Sequence, residues 1–182
     1  QHVIAANEGA AVAIAMGHYL RTGTPAVVYL QNSGIGNTVN PLLSLADPDV
    51  YGTPMVVIVG WRGQPGVRDE PQHVKQGRVM GTLLDALGLP WTVLPHEPAA
   101  AETTMTEAVK TAVEAETPYV VLVEKGTFAE PTSSVSEELI VQHLPTREDA
   151  LVAMADAVGT DAIIVSTTGM LSRELFEYRE RT

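Results

Sequence analysis

Short apolar runs recur along most of the chain, at residues 2–6, 26–30, 55–59, 91–94 and 119–123. Each is too short for a helix and reads as a buried strand. Helical patterns lie between them. A segment built almost wholly from Ala, Gly, Val, Ile and Met follows Asn7-Glu8, and further patterns span 39–46 (with Pro41 near the start), 79–87 and 101–115. In the last of these Met105, Ala108, Val109, Ala112 and Val113 fall on one face at helical spacing. Apolar strands alternating with helices predict a parallel sheet covered on both faces, a three-layer α/β/α domain.

The pattern changes after Gly126. Residues 128–145 mix Pro, Ser, Thr and Glu with little periodicity and read as a linker. Order resumes at Thr146-Arg147-Glu148-Asp149, a capping-box-like start with Asp where Glu or Gln is usual. A helix to about residue 158, a strand at 162–165, the turn Ser166-Thr167-Thr168-Gly169 and a helix from Met170 follow. The expected organisation is an α/β domain over 1–127, a linker over 128–145, and the opening of a second α/β domain over 146–182. The chain begins without Met inside an apolar run, so further residues are expected on both sides.

Composition narrows the function. The 182 residues contain no Cys, which excludes thiolate metal sites, disulfides and a Cys nucleophile. A formal charge of −11 argues against a phosphate-backbone partner, and so against nucleic acid. No apolar run is long enough to span a membrane, and no signal-peptide pattern opens the chain; the expected setting is cytoplasmic.

The polar residues that interrupt this apolar chain fall just past strand ends. Asn7 and Glu8 follow the first run, Gln31-Asn32-Ser33-Gly34 the second, and Trp61-Arg62-Gly63 the third; Ser166 to Gly169 hold the same position in the second unit. Ligands of open parallel sheets bind outside the carboxyl ends of the strands, so one shared site is predicted there. Glu8 is the only formal charge before Arg21. Either Asn7 caps a helix with Glu8 favourably in its first turn, or Glu8 is a carboxyl kept for chemistry, with burial raising its pKa. Gly34-Ile35-Gly36 lacks the third glycine of a dinucleotide fingerprint, no Gly-Lys-Ser/Thr loop exists, and Ser33 is not in a Gly-x-Ser-x-Gly elbow. The histidines show no zinc-ligand spacing. Residues 60–77 form an unusually long predicted loop carrying Trp61, Arg62, Arg68, His73 and Lys75. It is either a solvated surface loop or one suited to close over a small anion and move a proton.

Three stretches carry a resemblance: Ala6-Asn-Glu-Gly-Ala10, Tyr29-Leu-Gln-Asn-Ser-Gly-Ile-Gly-Asn37, and Gly60-Trp-Arg-Gly63 through Asp69-Glu-Pro-Gln-His-Val-Lys-Gln-Gly77. Together they resemble the thiamine diphosphate-dependent phosphonopyruvate and sulfopyruvate decarboxylases, over the pyrimidine-binding domain of that family. Ser166-Thr-Thr-Gly-Met170 resembles the start of its diphosphate-binding domain. The resemblance implies that Glu8 hydrogen-bonds N1′ of the cofactor's aminopyrimidine and so promotes deprotonation of the thiazolium C2. Gln31, Asn32 and Ser33 would line the cofactor pocket, and Thr167, Thr168 and Gly169 would touch the diphosphate. From charge and loop position, His73 with Gln72 would assist proton transfer, and Arg62 or Lys75 would hold a small anionic 2-keto acid, with Gln72 also at the substrate. The family's Gly-Asp-Gly…Asn element, which holds Mg2+, does not occur in this sequence. Its site also forms between subunits, which implies a homo-oligomer and an inactive chain when alone.

The expected reaction is decarboxylation of 3-phosphonopyruvate to phosphonoacetaldehyde, a step of phosphonate and antibiotic biosynthesis. The linker and second-domain start favour it over sulfopyruvate decarboxylase, which is often split into two short subunits. A non-catalytic binding module of the same fold is the alternative from another class.

Overall fold

The computed structural model describes residues 2–129, 146–158 and 170–181. The chain divides into two compact units, residues 1–130 and 131–182.

In the first unit, β1 (Ala26–Gln31), β2 (Met55–Gly60), β3 (Trp91–Val93) and β4 (Pro118–Val123) form a parallel sheet in the order β1-β2-β4-β3. The register sets Val28, Val57 and Val120 in one row and Val27, Val56 and Tyr119 in the next. Successive side chains point to opposite faces, so each row belongs to one face. The central strands β2 and β4 bury both of their faces, which is why they read as unbroken apolar runs.

Helices α1 (Glu8–Thr22), α2 (Ile35–Pro41) and α3 (Pro71–Ala86) cover the face of Val28, Val57 and Val120, through Val12, Met16, Ile35, Met80 and Leu84. Helix α4 (Pro98–Glu114) covers the other through Ala108, against Val56 and Val121. The unit is thus the three-layer α/β/α fold expected. Helix α4 packs on β2 and β4, so at β1 the side chains of Val27 and Tyr29 on that face are 60% and 75% exposed.

Several local expectations need correction. Residues 2–6 form no strand: Val3 and Ile4 are exposed, and the segment joins no sheet ladder among the described residues. An apolar run becomes a strand only where a neighbour supplies the ladder and the buried face. Helix α3 begins at Pro71, eight residues ahead of the apolar pattern, because a proline suits the first helical position. The connection after β2 is therefore residues 61–70, not 60–77, and Gln72, His73 and Lys75 are helical. Helix α4 likewise starts early, at Pro98, where the Glu97 carboxylate accepts from the Ala99 and Ala100 amides.

The predicted helix at 39–46 is the second half of a longer element. A 3-10 turn at Asn32–Gly34 leads into α2, which passes into a wider π turn at Leu42–Ala46. Pro41 has no N–H to donate to the carbonyl of Asn37, so the helix loosens there.

In the second unit, α5 (Arg147–Val158) and α6 (Met170–Arg181) bury Leu151, Ala155 and Leu175, with Tyr178 packed against them. The capping box is present: Thr146 Oγ1 accepts from the Asp149 amide at 3.1 Å, and Asp149 Oδ2 accepts from the Thr146 amide at 2.8 Å. The strand at 162–165 and the turn at 166–169 lie outside the described residues. Among the described residues no helix is long and apolar enough to cross a membrane.

Candidate active site

Asn7 caps α1, its Oδ1 accepting from the Ala10 amide at 2.9 Å. That places Glu8 in the first helical turn, and its side chain reaches across to the turn that follows β1. Asn37, in the first turn of α2, donates from Nδ2 to Glu8 Oε2 at 2.7 Å. The carboxylate lies against Gly34, where a Cβ would fall 2.5 Å from the Glu8 Cγ, Cδ and Oε1. Next to it, a Cβ on Gly9 would lie 2.8 Å from the Asn37 carbonyl oxygen. Two glycines therefore let α1 and α2 close on each other, and Gly34 makes the seat for the carboxylate. The raised pKa expected for Glu8 is not found. The Asn37 hydrogen bond, with a second from the Glu8 backbone amide, holds it below the usual range because the half-buried group loses little hydration.

Just ahead of that seat, Asn32 is buried and both ends of its amide are used. Its Nδ2 donates to the Arg62 carbonyl at 2.8 Å, and its Oδ1 accepts from the Arg62 amide at 3.0 Å. Asn32 thus ties the end of β1 to the end of β2 and offers no free polar atom in this chain. Gln31 and Ser33 flank it on the exposed side, Ser33 Oγ donating to Gln31 Oε1 at 2.6 Å.

The connection after β2 is folded tightly onto α3. Trp61 donates from its backbone to the Val123 carbonyl at 2.8 Å and from Nε1 to the Gly77 carbonyl at 2.8 Å. Gly63 has φ +67°, and a Cβ there would collide with the His73 carbonyl. A Cβ on Gly77 would collide with the carbonyls of Gly63 and Arg62. Backbone thus packs directly on backbone, which a solvated surface loop does not do.

Asp69 is the hub of this connection, with its side chain 11% exposed. Arg62 reaches it with Nε at 2.9 Å from Oδ2 and Nη2 at 2.5 Å from Oδ1. The Gly63 and Glu70 amides each donate to it at 2.7 Å, and His73 Nδ1 lies 3.1 Å from Oδ1. The Arg62 guanidinium, ahead of these amides, holds the Asp69 carboxyl far below the usual carboxylate range. Arg62 is correspondingly committed: its charge is balanced within the chain. Lys75 and Gln72 are exposed on the first turns of α3, and Lys75 makes no ion pair among the described residues.

Sequence reasoning passed over Asn37 and Asp69, although both sit inside the stretches that carry the resemblance. It also passed over Glu124, which follows β4 and accepts from Gln64 Nε2 at 2.5 Å, with His96 Nε2 at 3.2 Å from its other oxygen. The rule that singled out Asn32 and Arg62, polar residues just past strand ends, applies equally to Glu124. Thr167, Thr168 and Gly169 lie outside the described residues. Among the described residues no group of three or more His, Asp or Glu side chains is placed to hold a metal ion. A cleft of about 750 Å3 between residues 2–8, α1 and β1 is mostly apolar, and Glu8 is its one charged lining residue.

Residues 1–89 match the family model for the thiamine pyrophosphate enzyme N-terminal TPP binding domain. The whole chain is 35% identical to the phosphonopyruvate decarboxylase of Streptomyces viridochromogenes and 36% identical to that of Streptomyces hygroscopicus, in each case over 48% of the relative. It spans about half the length of these curated relatives. The sulfopyruvate decarboxylase subunit alpha of Methanothermobacter thermautotrophicus is 37% identical over 58% of this chain and 61% of that subunit. The chain therefore carries an N-terminal thiamine pyrophosphate-binding domain that matches the phosphonopyruvate and sulfopyruvate decarboxylase family.

Proposed function

We propose that this chain supplies the carboxylate-bearing half of a thiamine diphosphate-dependent decarboxylase acting on 3-phosphonopyruvate. The observation that carries the reading is the seating of Glu8 against Gly34, with Oε2 taken by Asn37 and Oε1 bonded to no side chain among the described residues. The carboxylate then meets a ring nitrogen of the cofactor and exchanges a proton with it. When bound, thiamine diphosphate supplies the electron sink that accepts the electron pair released as carbon dioxide leaves. Gln31 and Ser33 border the seat on its open side, and Asn32 keeps the ends of β1 and β2 together beneath it. His73 moves a proton at its ring nitrogen. Lys75 and Gln72 bind the substrate anion, whereas Arg62, whose charge Asp69 already balances, acts by shaping the loop.

Thr167, Thr168 and Gly169 are proposed to meet the diphosphate. Mg2+ is assigned to residues other than those described, and no step runs through it. The remaining half of the site is proposed to come from a second subunit of a homo-oligomer. Phosphonate is preferred over sulfonate because the named phosphonopyruvate decarboxylases match all of this chain, whereas the named sulfopyruvate subunit matches 58%. Side-by-side turnover of the two substrates by the full-length protein tests this reading. Faster turnover of sulfopyruvate would reassign the substrate, and turnover of neither would favour a binding module.

A further inference from the structure

We propose that Asp69 is the positioning residue for His73: its carboxylate holds the imidazole by Nδ1–H, which leaves Nε2 as the one ring atom free to exchange a proton.

The geometry is specific. Asp69 receives the Arg62 guanidinium on both oxygens, the Gly63 amide on Oδ2 and the Glu70 amide on Oδ1, and Oδ1 also faces His73 Nδ1 at 3.1 Å. An ionised carboxylate only accepts hydrogen bonds, so the ring nitrogen facing it must carry the hydrogen. In the neutral ring Nε2 then bears the lone pair. The ring cannot easily leave this arrangement. His73 is in the first turn of α3, its amide donates to the Glu70 carbonyl at 2.9 Å, and its own carbonyl packs on Gly63. Both ends of the Asp69–His73 bond are therefore fixed by backbone.

Arg62 is the clamp behind Asp69, and Asn32 is the clamp behind Arg62 through both ends of its amide. Asn32 is also the first residue of the 3-10 turn that carries Gly34, the seat of Glu8. One bonded path thus runs along the carboxyl edge of the sheet from the Glu8 seat to the His73 ring.

The inference rests on the reading of His73 as a proton carrier only for its effect on turnover; the tautomer is a property of the chain itself. The test labels histidine with 15N and records ring nitrogen shifts by long-range correlation spectroscopy, with the His73 signals assigned by their loss in His73→Gln. The neutral His73 ring should show a protonated Nδ1 and a bare Nε2. In Asp69→Asn it should gain the opposite tautomer, because an amide there cannot accept from Arg62, Gly63, Glu70 and His73 all at once. In Arg62→Gln the tautomer should persist, since the Gly63 and Glu70 amides still hold Asp69; this variant keeps the test decisive if Asp69→Asn folds poorly. A bare Nδ1 in the parent protein, or an unchanged pattern in Asp69→Asn, overturns the proposal. In the full-length protein, Asp69→Asn should lower kcat about 100-fold with KM nearly unchanged. If the tautomer is as stated but His73→Gln turns over normally, the proton-carrier reading fails and the Asp69–His73 hold stands.

Discussion

The Asn37 amide holds the Glu8 carboxylate by a 2.7 Å hydrogen bond. These residues lie at the starts of different helices, and they meet because Gly9 and Gly34 leave room for α1 to close on α2. Replacing Asn37 by Leu removes the donor while keeping the size. The Glu8 carboxyl should then titrate closer to its ordinary 4.5, since the largest influence lowering it is gone. Carboxyl shifts followed by NMR against pH check this. An unchanged midpoint would mean the bond does not form in solution.

Gly34→Ala places a methyl group where the Glu8 side chain lies. The cheapest relief is movement of Glu8, because Gly34 has φ −87° and its backbone tolerates a side chain. The expected result is a loss of about 1–3 kcal/mol in stability with a larger fractional loss of turnover. Denaturant unfolding and kcat of the same variant separate the two. Full turnover in a well-folded variant would show that Glu8 need not occupy its seat.

Gly77→Ala should behave differently. The added methyl meets the carbonyls of Gly63 and Arg62, which are backbone and cannot swing aside. The loop must lift from α3, breaking the Trp61 Nε1 hydrogen bond to the Gly77 carbonyl. A loss of at least about 2 kcal/mol is expected by denaturant unfolding, together with increased Trp61 exposure in fluorescence.

The Asp69 carboxyl is held below its ordinary value of 3.8, which fixes the direction of a pH effect. Below that value the unfolded chain takes up a proton that the folded chain refuses, so stability falls with pH. The contribution is complete above the unfolded value and is lost as the pH drops towards the folded one. Asp69→Asn should be less stable near neutrality and show a shallower acid limb. Melting temperatures between about pH 6 and pH 3 test this. Parallel limbs in the two proteins would rule it out.

Lys75→Gln in the full-length protein should raise KM for the phosphonate substrate about tenfold with kcat largely kept, the scale of one charged hydrogen bond of ~1.5 kcal/mol. Arg62→Gln should instead act mainly on kcat, because Arg62 is spent on Asp69. The reverse pattern would return the anion clamp to Arg62.

The layered fold was legible because β2 and β4 bury both faces and spell this out as unbroken Val, Ile and Leu runs. Residues 2–6 have the same composition without a bonded neighbour, and composition does not reveal whether a neighbour exists. The start of α3 was hidden because its first turns, Pro71 to Gln76, are almost wholly polar, so apolar periodicity begins only where the helix meets the core. In the candidate site, the rule of polar residues past strand ends singled out Asn32 and Arg62, and it reached Glu8 only through a strand at 2–6 that the structure lacks. It could not show that Asn32 and Arg62 bond to each other, nor that Asp69 organises the loop. Those facts depend on contacts across 30 residues between Asn32 and Arg62 and on backbone approach at Gly63 and Gly77. The pKa of Glu8 was misjudged for a related reason: its sequence neighbours are apolar, but its partner in space is an amide.

The central claim is that Glu8 activates the cofactor, and Glu8→Gln in the full-length protein, loaded with thiamine diphosphate and Mg2+, addresses it most directly. The substitution keeps the shape and the contact with Asn37 but removes the exchangeable proton. Decarboxylation of 3-phosphonopyruvate should fall about 100- to 10,000-fold while the melting temperature stays close to that of the parent. Undiminished carbon dioxide release would contradict the account.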